Sequence, residues 1–314
     1  MRVQRKAIGS MSDRQSETRL NLSAGLLSVS VALILVLAKL WAFAVTGSLS
    51  VAATLADSGL DLMMSLGGLA AIAYAAKPAD DDHAFGHSSA EDLAALGQTL
   101  FILVSSMVIG VTAILRLIDG TSPLPREEAK GMAVIIFSIL LTGGLVWWQR
   151  RVARRTGNRV VRADSLHYIG DLIPNIGALF ALWASAALGF GQIDSIVALG
   201  AALFLAAGAL RIGKGAWDAL MDRQADPEMI ASIAQIAGDF PGVEGFHDLK
   251  TRQSGSTIFV NLHIELDGTQ SLNEAHAIGA ALRREIIRHH PKADVLIHKD
   301  PVGVAPHPDD PSKN

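Results

Sequence analysis

The feature that most constrains this chain is a series of long stretches without charge. Residues Leu93 to Leu115, Gly131 to Trp148 and Leu172 to Gln192 contain no Asp, Glu, Lys or Arg, and neither does Ser195 to Leu210. About 20 apolar residues in a helix cross the hydrocarbon core of a bilayer. Two further segments precede these: Leu22 to Val45, interrupted by Lys39, and Leu49 to Ala76, interrupted by Asp57 and Asp61. The pattern predicts an α-helical membrane domain of six transmembrane helices. The first is expected to stay in place, since it is longer than a signal peptide and lacks the small-residue cleavage pattern.

Composition narrows the function. Charged residues make up 18% of the chain and hydrophobic ones 50%; the formal net charge is −3, and there is no cysteine. Such apolar content excludes disorder, and the absence of basic excess argues against a nucleic-acid partner. Any metal must be held by nitrogen and oxygen. Orientation follows from the arginines. Arg2, Arg5, Lys6, Arg14 and Arg19 precede the first helix, and Arg150, Arg151, Arg154, Arg155, Arg159 and Arg162 cluster between the fourth and fifth. Both groups fall on one side if six helices alternate, so that side is cytoplasmic and so are both termini.

Beyond Arg211 the composition changes. Pro227 opens a helical stretch to Phe240, and a strand pattern runs from Val243 to Arg252 up to a turn at Gln253–Ser256. Ile258, Val260, Leu262, Ile264 and Leu266 alternate as in a half-buried strand. Ser271–His289 has a helical period and Asp294–Asp300 is a last short strand. This αββαβ order predicts a small α+β, ferredoxin-like domain with helices on one sheet face. The domains are therefore a tail over 1–21, a transport domain over 22–212, a cytoplasmic domain over 213–301 and a disordered tail over 302–314.

Ionisable residues inside the apolar helices carry the functional signal. At mid-bilayer each costs roughly 2.5–3.5 kcal/mol on the lenient insertion scale, so such residues line cavities. Asp57 and Asp61 are four apart, hence on one helix face, and His167 and Asp171 repeat the spacing. Facing pairs would offer three carboxylates and one imidazole, a set that suits a four-coordinate divalent cation, zinc first. Lys39 and Asp194 read as helix-end residues that snorkel or form turns. Pro174 is a candidate kink and Asn175 a candidate outer partner of the site. In the connection after the second helix, Asp80, Asp81, Asp82, His83 and His87 form an acidic, His-containing loop that is either solvated or a zinc site. In the cytoplasmic domain His298 and Asp300 share a strand face, and with His247, His263 and His276 they make five candidate ligands. His289, His290 and His307 read as surface residues.

These residues carry a family resemblance. Asp57-x3-Asp61, His167-x3-Asp171 and the cytoplasmic αββαβ domain look like the cation diffusion facilitator family. The segments DDDHAFGHSSAEDLAALGQ (81–99), RADSLHYIGD (162–171) and FHDLKTRQSG (246–255) resemble its bacterial proton-coupled zinc exporters. The resemblance implies a homodimer in the inner membrane with a transport site at Asp57, Asp61, His167 and Asp171, where protons compete at His167 and Asp57. It implies a loop site at Asp80, His83 and His87. It also implies a binuclear cytoplasmic zinc site of His247, His263, His276, His298 and a bridging Asp300. Two positions depart from the relatives: Lys299 replaces a neutral amide, and Ser89 replaces a lysine that pairs with the counterpart of Asp222.

The reading is an antiporter that exports Zn2+ against protons, not an enzyme. Fe2+, Cd2+, Mn2+ and Co2+ remain open as cargo, because three oxygens and one nitrogen form a permissive set. A membrane metalloenzyme would need an activating glutamate beside its ligands, and no His-Glu-x-x-His occurs. A metal sensor with a mere membrane anchor would not need four ionisable groups at bilayer depth.

Overall fold

The structure is a computed structural model. It describes residues 2–46, 49–119, 129–188 and 193–303; side chains at 2–15, 42, 46, 49–54, 56, 129–135, 174–175, 177–188 and 193–194 are outside the description. The readings of Pro174, Asn175 and Asp194 as side chains, of His307, and of the tail from 304 onward therefore lie outside the described residues. The chain divides into two compact units, Met1–Trp217 and Asp218–Asn314.

The first unit consists of long helices: α1 (Arg2–Thr46), α2 (Leu49–Ala75), α3 (Ser89–Asp119), α4 (Ala129–Thr156), α5 (Arg159–Leu188) and α6 (Ile193–Leu220). Among the described residues, four segments are long and apolar enough to cross a membrane: Ser16–Val45, Asp57–Ala75, Ser89–Asp119 and Ser195–Leu220. Apolar residues point outward. Met63, Leu100, Met107, Ile118 and Leu203 are all exposed, whereas the interior is rich in alanine, serine and glycine. That inversion suits lipid, where close backbone approach rather than apolar burial holds helices together. Gly213 of α6 is one such approach: a Cβ there would lie 2.5 Å from Thr99 Cγ2 of α3.

The helices outrun their apolar windows. α4 continues past Trp148 to Thr156, and α5 begins at Arg159, because arginine and glutamine propagate a helix well. Only Gly157 and Asn158 separate them. Gly157 takes φ 74°, and the Asn158 Oδ1 accepts from the Val161 amide at 2.9 Å, capping α5. The basic cluster thus sits on two helix ends. One of its members turns inward: Arg159 donates to Asp92 of α3, whose side chain is buried.

The second unit runs α7 (Pro227–Gly238), β1 (Gly245–Ser254), β2 (Thr257–Leu266), α8 (Leu272–His289) and β3 (Ala293–Pro301). This is the αββαβ order expected from the sequence. The sheet order is β1-β2-β3, with β1 and β2 antiparallel and β2 and β3 parallel. The hairpin turn occupies Gly255–Ser256, with Gly255 at φ 53° in the first turn position, where glycine-first hairpin turns need a positive φ. Ser271 and Glu274 form a capping box at the start of α8. Val260, Leu262, Ile264 and Leu266 face one way and pack with Ile233, Leu282 and Ile286 of the two helices. The other face of β2 carries Asn261, His263 and Glu265.

Candidate functional site

In the membrane unit Asp61 of α2 meets the His167 and Asp171 pair of α5. His167 Nε2 lies 3.0 Å from Asp61 Oδ1 and 4.0 Å from Asp171 Oδ2. One ligand atom from each of the three falls within 4.8 Å of the others. The His167 side chain is only 10% exposed, and its ring is edge-on to Phe101 of α3. Asp57 shares the α2 face one turn earlier but stands exposed and outside this three-residue cluster. Lys39 differs from its reading as a snorkelling residue: its Nζ turns inward and donates to the buried Ser58 Oγ of α2 at 2.6 Å.

The connection between α2 and α3 gathers its three residues tightly. Asp80 Oδ1 accepts from the His83 backbone at 2.7 Å and lies 3.1 Å from His83 Nδ1. Asp80 Oδ2 is 3.2 Å from His87 Nε2. The His83 backbone N–H, acting first, holds the Asp80 carboxyl below the usual carboxylate range. His87 is buried against Tyr74, with ring centroids 4.7 Å apart, while the side chains of Asp80 and His83 stay about half exposed.

The cytoplasmic unit builds its site by register. His247 pairs with His263 across β1 and β2, and His263 pairs with His298 across β2 and β3. Three imidazoles thus stand side by side on the sheet face opposite the helices, with centroids 5.1 and 4.6 Å apart. Asp300 is the hub. Its Oδ2 lies 2.9 Å from His263 Nδ1 and 3.6 Å from His247 Nε2, and its Oδ1 lies 3.1 Å from His298 Nε2. One ligand atom each from His247, His263 and Asp300 lies within 4.8 Å of the others, while His276 is exposed on α8 and is not brought in.

Two neighbours were missed from the sequence. Glu265, whose carboxylate is 3.0 Å from His247 Nδ1, sits two residues after His263 on the same strand face, so alternation could have found it. Asp248, 4.0 Å from His263 Nε2, lies at an irregularity of β1 with φ 49° and gave no signal. Lys299 does not charge this face. A Cβ on Gly279 of α8 would lie 2.6 Å from Lys299 Cε, so its stem runs along the helix side of the sheet. Asp222 pairs with Arg252 at 3.1 Å within the same unit, and Ser89 opens α3.

Residues 25–221 match the cation efflux transmembrane domain, and residues 225–302 match the cation efflux protein cytoplasmic domain. The chain is 40% identical over 293 residues to a cation-efflux pump FieF of Escherichia coli O127:H6, covering 93% of this chain and 96% of that protein. It is 41% identical, with the same coverage, to the FieF of Escherichia coli K12. Among solved structures, the metal-bound C-terminal domain of a CzcD transporter from Thermotoga maritima matches 25% of this chain and 93% of its own. That match has 30% identity and a TM-score of 0.25. Matched through both its helical and its cytoplasmic units, the chain belongs to the cation efflux, or cation diffusion facilitator, family of membrane transporters.

Proposed function

We propose that this protein exports a divalent metal, Zn2+ first, in exchange for protons, as an inner-membrane homodimer with both termini in the cytoplasm. The observation that carries the reading is the convergence of Asp61, His167 and Asp171 on one point between helices of the membrane unit. Asp57 completes the set from one turn away on α2. A metal ion needs these carboxylates ionised and the imidazole neutral, so its binding displaces protons. Protonation of His167 and an aspartate from the opposite side then releases the cargo, and rocking of the helices alternates access. One imidazole beside oxygens favours zinc without excluding Fe2+, Cd2+ or Mn2+.

The loop triad of Asp80, His83 and His87 offers a second, smaller zinc site. The cytoplasmic ladder fits resident zinc by its chemistry: several imidazoles around one carboxylate with two oxygens to share, and Glu265 orienting His247. Held there by His247, His263, His298 and Asp300, with His276 as the fifth candidate, zinc would tie the strands together and favour one arrangement of the dimer. Sealed proteoliposomes test the transport reading. Zinc is expected to drive proton flux in the wild type and not in Asp57→Ala or Asp61→Ala; undiminished flux in Asp61→Ala would remove the site. Metal that binds the protein but never enters the vesicles would favour a sensor.

A further inference from the structure

The end of α4 carries a second surface, which the transport site does not use. Gln149, Val152, Ala153 and Thr156 recur at three- and four-residue intervals and are all buried, so they form the packed face of its last turns. Arg150, Arg151, Arg154 and Arg155 take the positions between them and are all exposed. Trp147 precedes the arginines on the same outward face, three and four residues before Arg150 and Arg151, and is 64% exposed. Leu140, seven residues earlier again, continues that face and is 70% exposed. One side of α4 thus runs from apolar through tryptophan to arginine.

That sequence of side chains matches the layers of a bilayer surface. Exposed apolar groups meet acyl chains, tryptophan rings collect at the headgroup boundary, and the arginines begin about 5 Å further along the axis. Helical side chains lean toward the helix N-terminus, which for α4 is back toward the membrane. The headgroup layer is therefore within reach of the guanidiniums, with their stems along its boundary.

This charge has no partner within the protein. No Asp or Glu occurs between Glu128 and Asp164, and among the described residues none of the four guanidiniums forms a hydrogen bond or an ion pair. Arg159 is the contrast, since it turns inward to Asp92. Two ordinary reasons for basic residues here fall short. The helix dipole favours cations in the last turn, where Arg154 and Arg155 sit, and leaves out Arg150 and Arg151. Membrane topology needs positive charge on this side, but neither a particular helix face nor arginine in place of lysine. All six basic residues from 150 to 162 are arginine, whose planar fork takes two phosphate oxygens at once.

We propose that this face of α4 is a binding surface for anionic phospholipid, with the forks of the four arginines on the headgroup phosphodiesters and Trp147 packed at the level of the glycerol. Continuity of the arginines with Trp147 and Leu140 favours lipid over free phosphate or nucleic acid, neither of which would touch that apolar stripe. The inference is independent of the cargo and of proton coupling.

The test uses the full-length protein in vesicles of phosphatidylcholine with a minor share of phosphatidylglycerol. Bromine on the acyl chains of either lipid quenches nearby tryptophan, and subtracting the signal of Trp147→Phe isolates Trp147. Brominated phosphatidylglycerol is expected to quench Trp147 beyond its share of the bilayer, and the excess is expected to fade at high salt. A basic residue near an anionic surface is worth about fivefold in affinity, so Arg150→Gln combined with Arg154→Gln is expected to weaken the lipid's binding roughly 25-fold. Lysine at all four positions keeps the charge and the topology and is expected to retain only part of the excess. No excess in the wild type overturns the proposal, as does an excess that survives glutamine at all four positions. Should the glutamine variants not reach the membrane, the lysine variant carries the test, and an undiminished excess there overturns recognition by arginine forks. Displacement of the lipid by inorganic phosphate or by a short RNA duplex, at matched ionic strength, would also overturn it by assigning the arginines to a soluble anion.

Discussion

Replacing His263 by alanine removes the middle rung of the cytoplasmic ladder. Its Nδ1 is 2.9 Å from Asp300 Oδ2, and its ring stands between those of His247 and His298. Losing an outer-shell partner of a metal ligand costs about 10–100-fold in affinity, so loss of a ligand itself is expected to reach at least the upper figure. With free zinc at about 100 times the wild-type Kd, binding stabilises the wild-type domain by about 2.7 kcal/mol. A variant weakened about 100-fold meets zinc near its own Kd and gains only about 0.4 kcal/mol. For a domain of this size those gains are worth about 11–22 °C and about 2–3 °C in Tm. The metal-free proteins are expected to melt close together, because His263 is part-exposed on the open sheet face and outside the apolar core. The assay is thermal melting of the cytoplasmic unit in chelator and in buffered zinc. Equal zinc-induced shifts in both proteins would refute the ligand assignment; no shift in either would refute the site.

Other consequences follow from burial, electrostatics and ligand chemistry. Leu282→Ala empties a fully buried position against Ile233, Val260 and Ile286 and is expected to cost about 2–5 kcal/mol, read by denaturant unfolding of the same unit. Burial, and next the neighbouring His289, hold the His290 imidazole below its usual range, with Ser232 Oγ 2.9 Å from Nε2. The folded state then binds fewer protons than the unfolded one, so His290 contributes stability that is present above about pH 6.5 and lost as pH falls through its lower folded value. Unfolding in chelator should show a shallower acid-side decline in His290→Gln; an unchanged decline would contradict this. His167→Asp removes the nitrogen ligand of the triad and is expected to shift transport preference from Zn2+ toward Cd2+ in vesicle uptake; retained zinc preference would count against His167 as a ligand.

What could be seen from residues alone depended on how short-ranged the geometry was. The i, i+4 spacing of Asp57 and Asp61, and of His167 and Asp171, needs only the helical period, and α2 and α5 do bring Asp61, His167 and Asp171 together. Alternation along Ile258–Leu266 likewise placed His263 on the face away from the core. The ladder itself was not legible. It depends on strand register, and β1 shifts register between His247 and Lys250, so no count along the sequence aligns His247 with His263. The stem of Lys299 follows from the same pleat that puts His298 and Asp300 on the open face, and alternation would have sent it to the helix side. The inward turn of Arg159 toward Asp92 was hidden because charge counting treats every loop arginine as solvated. Helix ends were misjudged where hydropathy stopped before helix propensity did, as at Trp148.

The most direct measurement is anomalous X-ray scattering from crystals of the full-length protein soaked in zinc. A peak bounded by Asp61, His167 and Asp171, lost in Asp61→Ala and displaced by soaking at low pH, is the expected result. Zinc found solely in the loop or on the cytoplasmic sheet, with those three side chains turned to separate neighbours, would contradict a metal path through the helices.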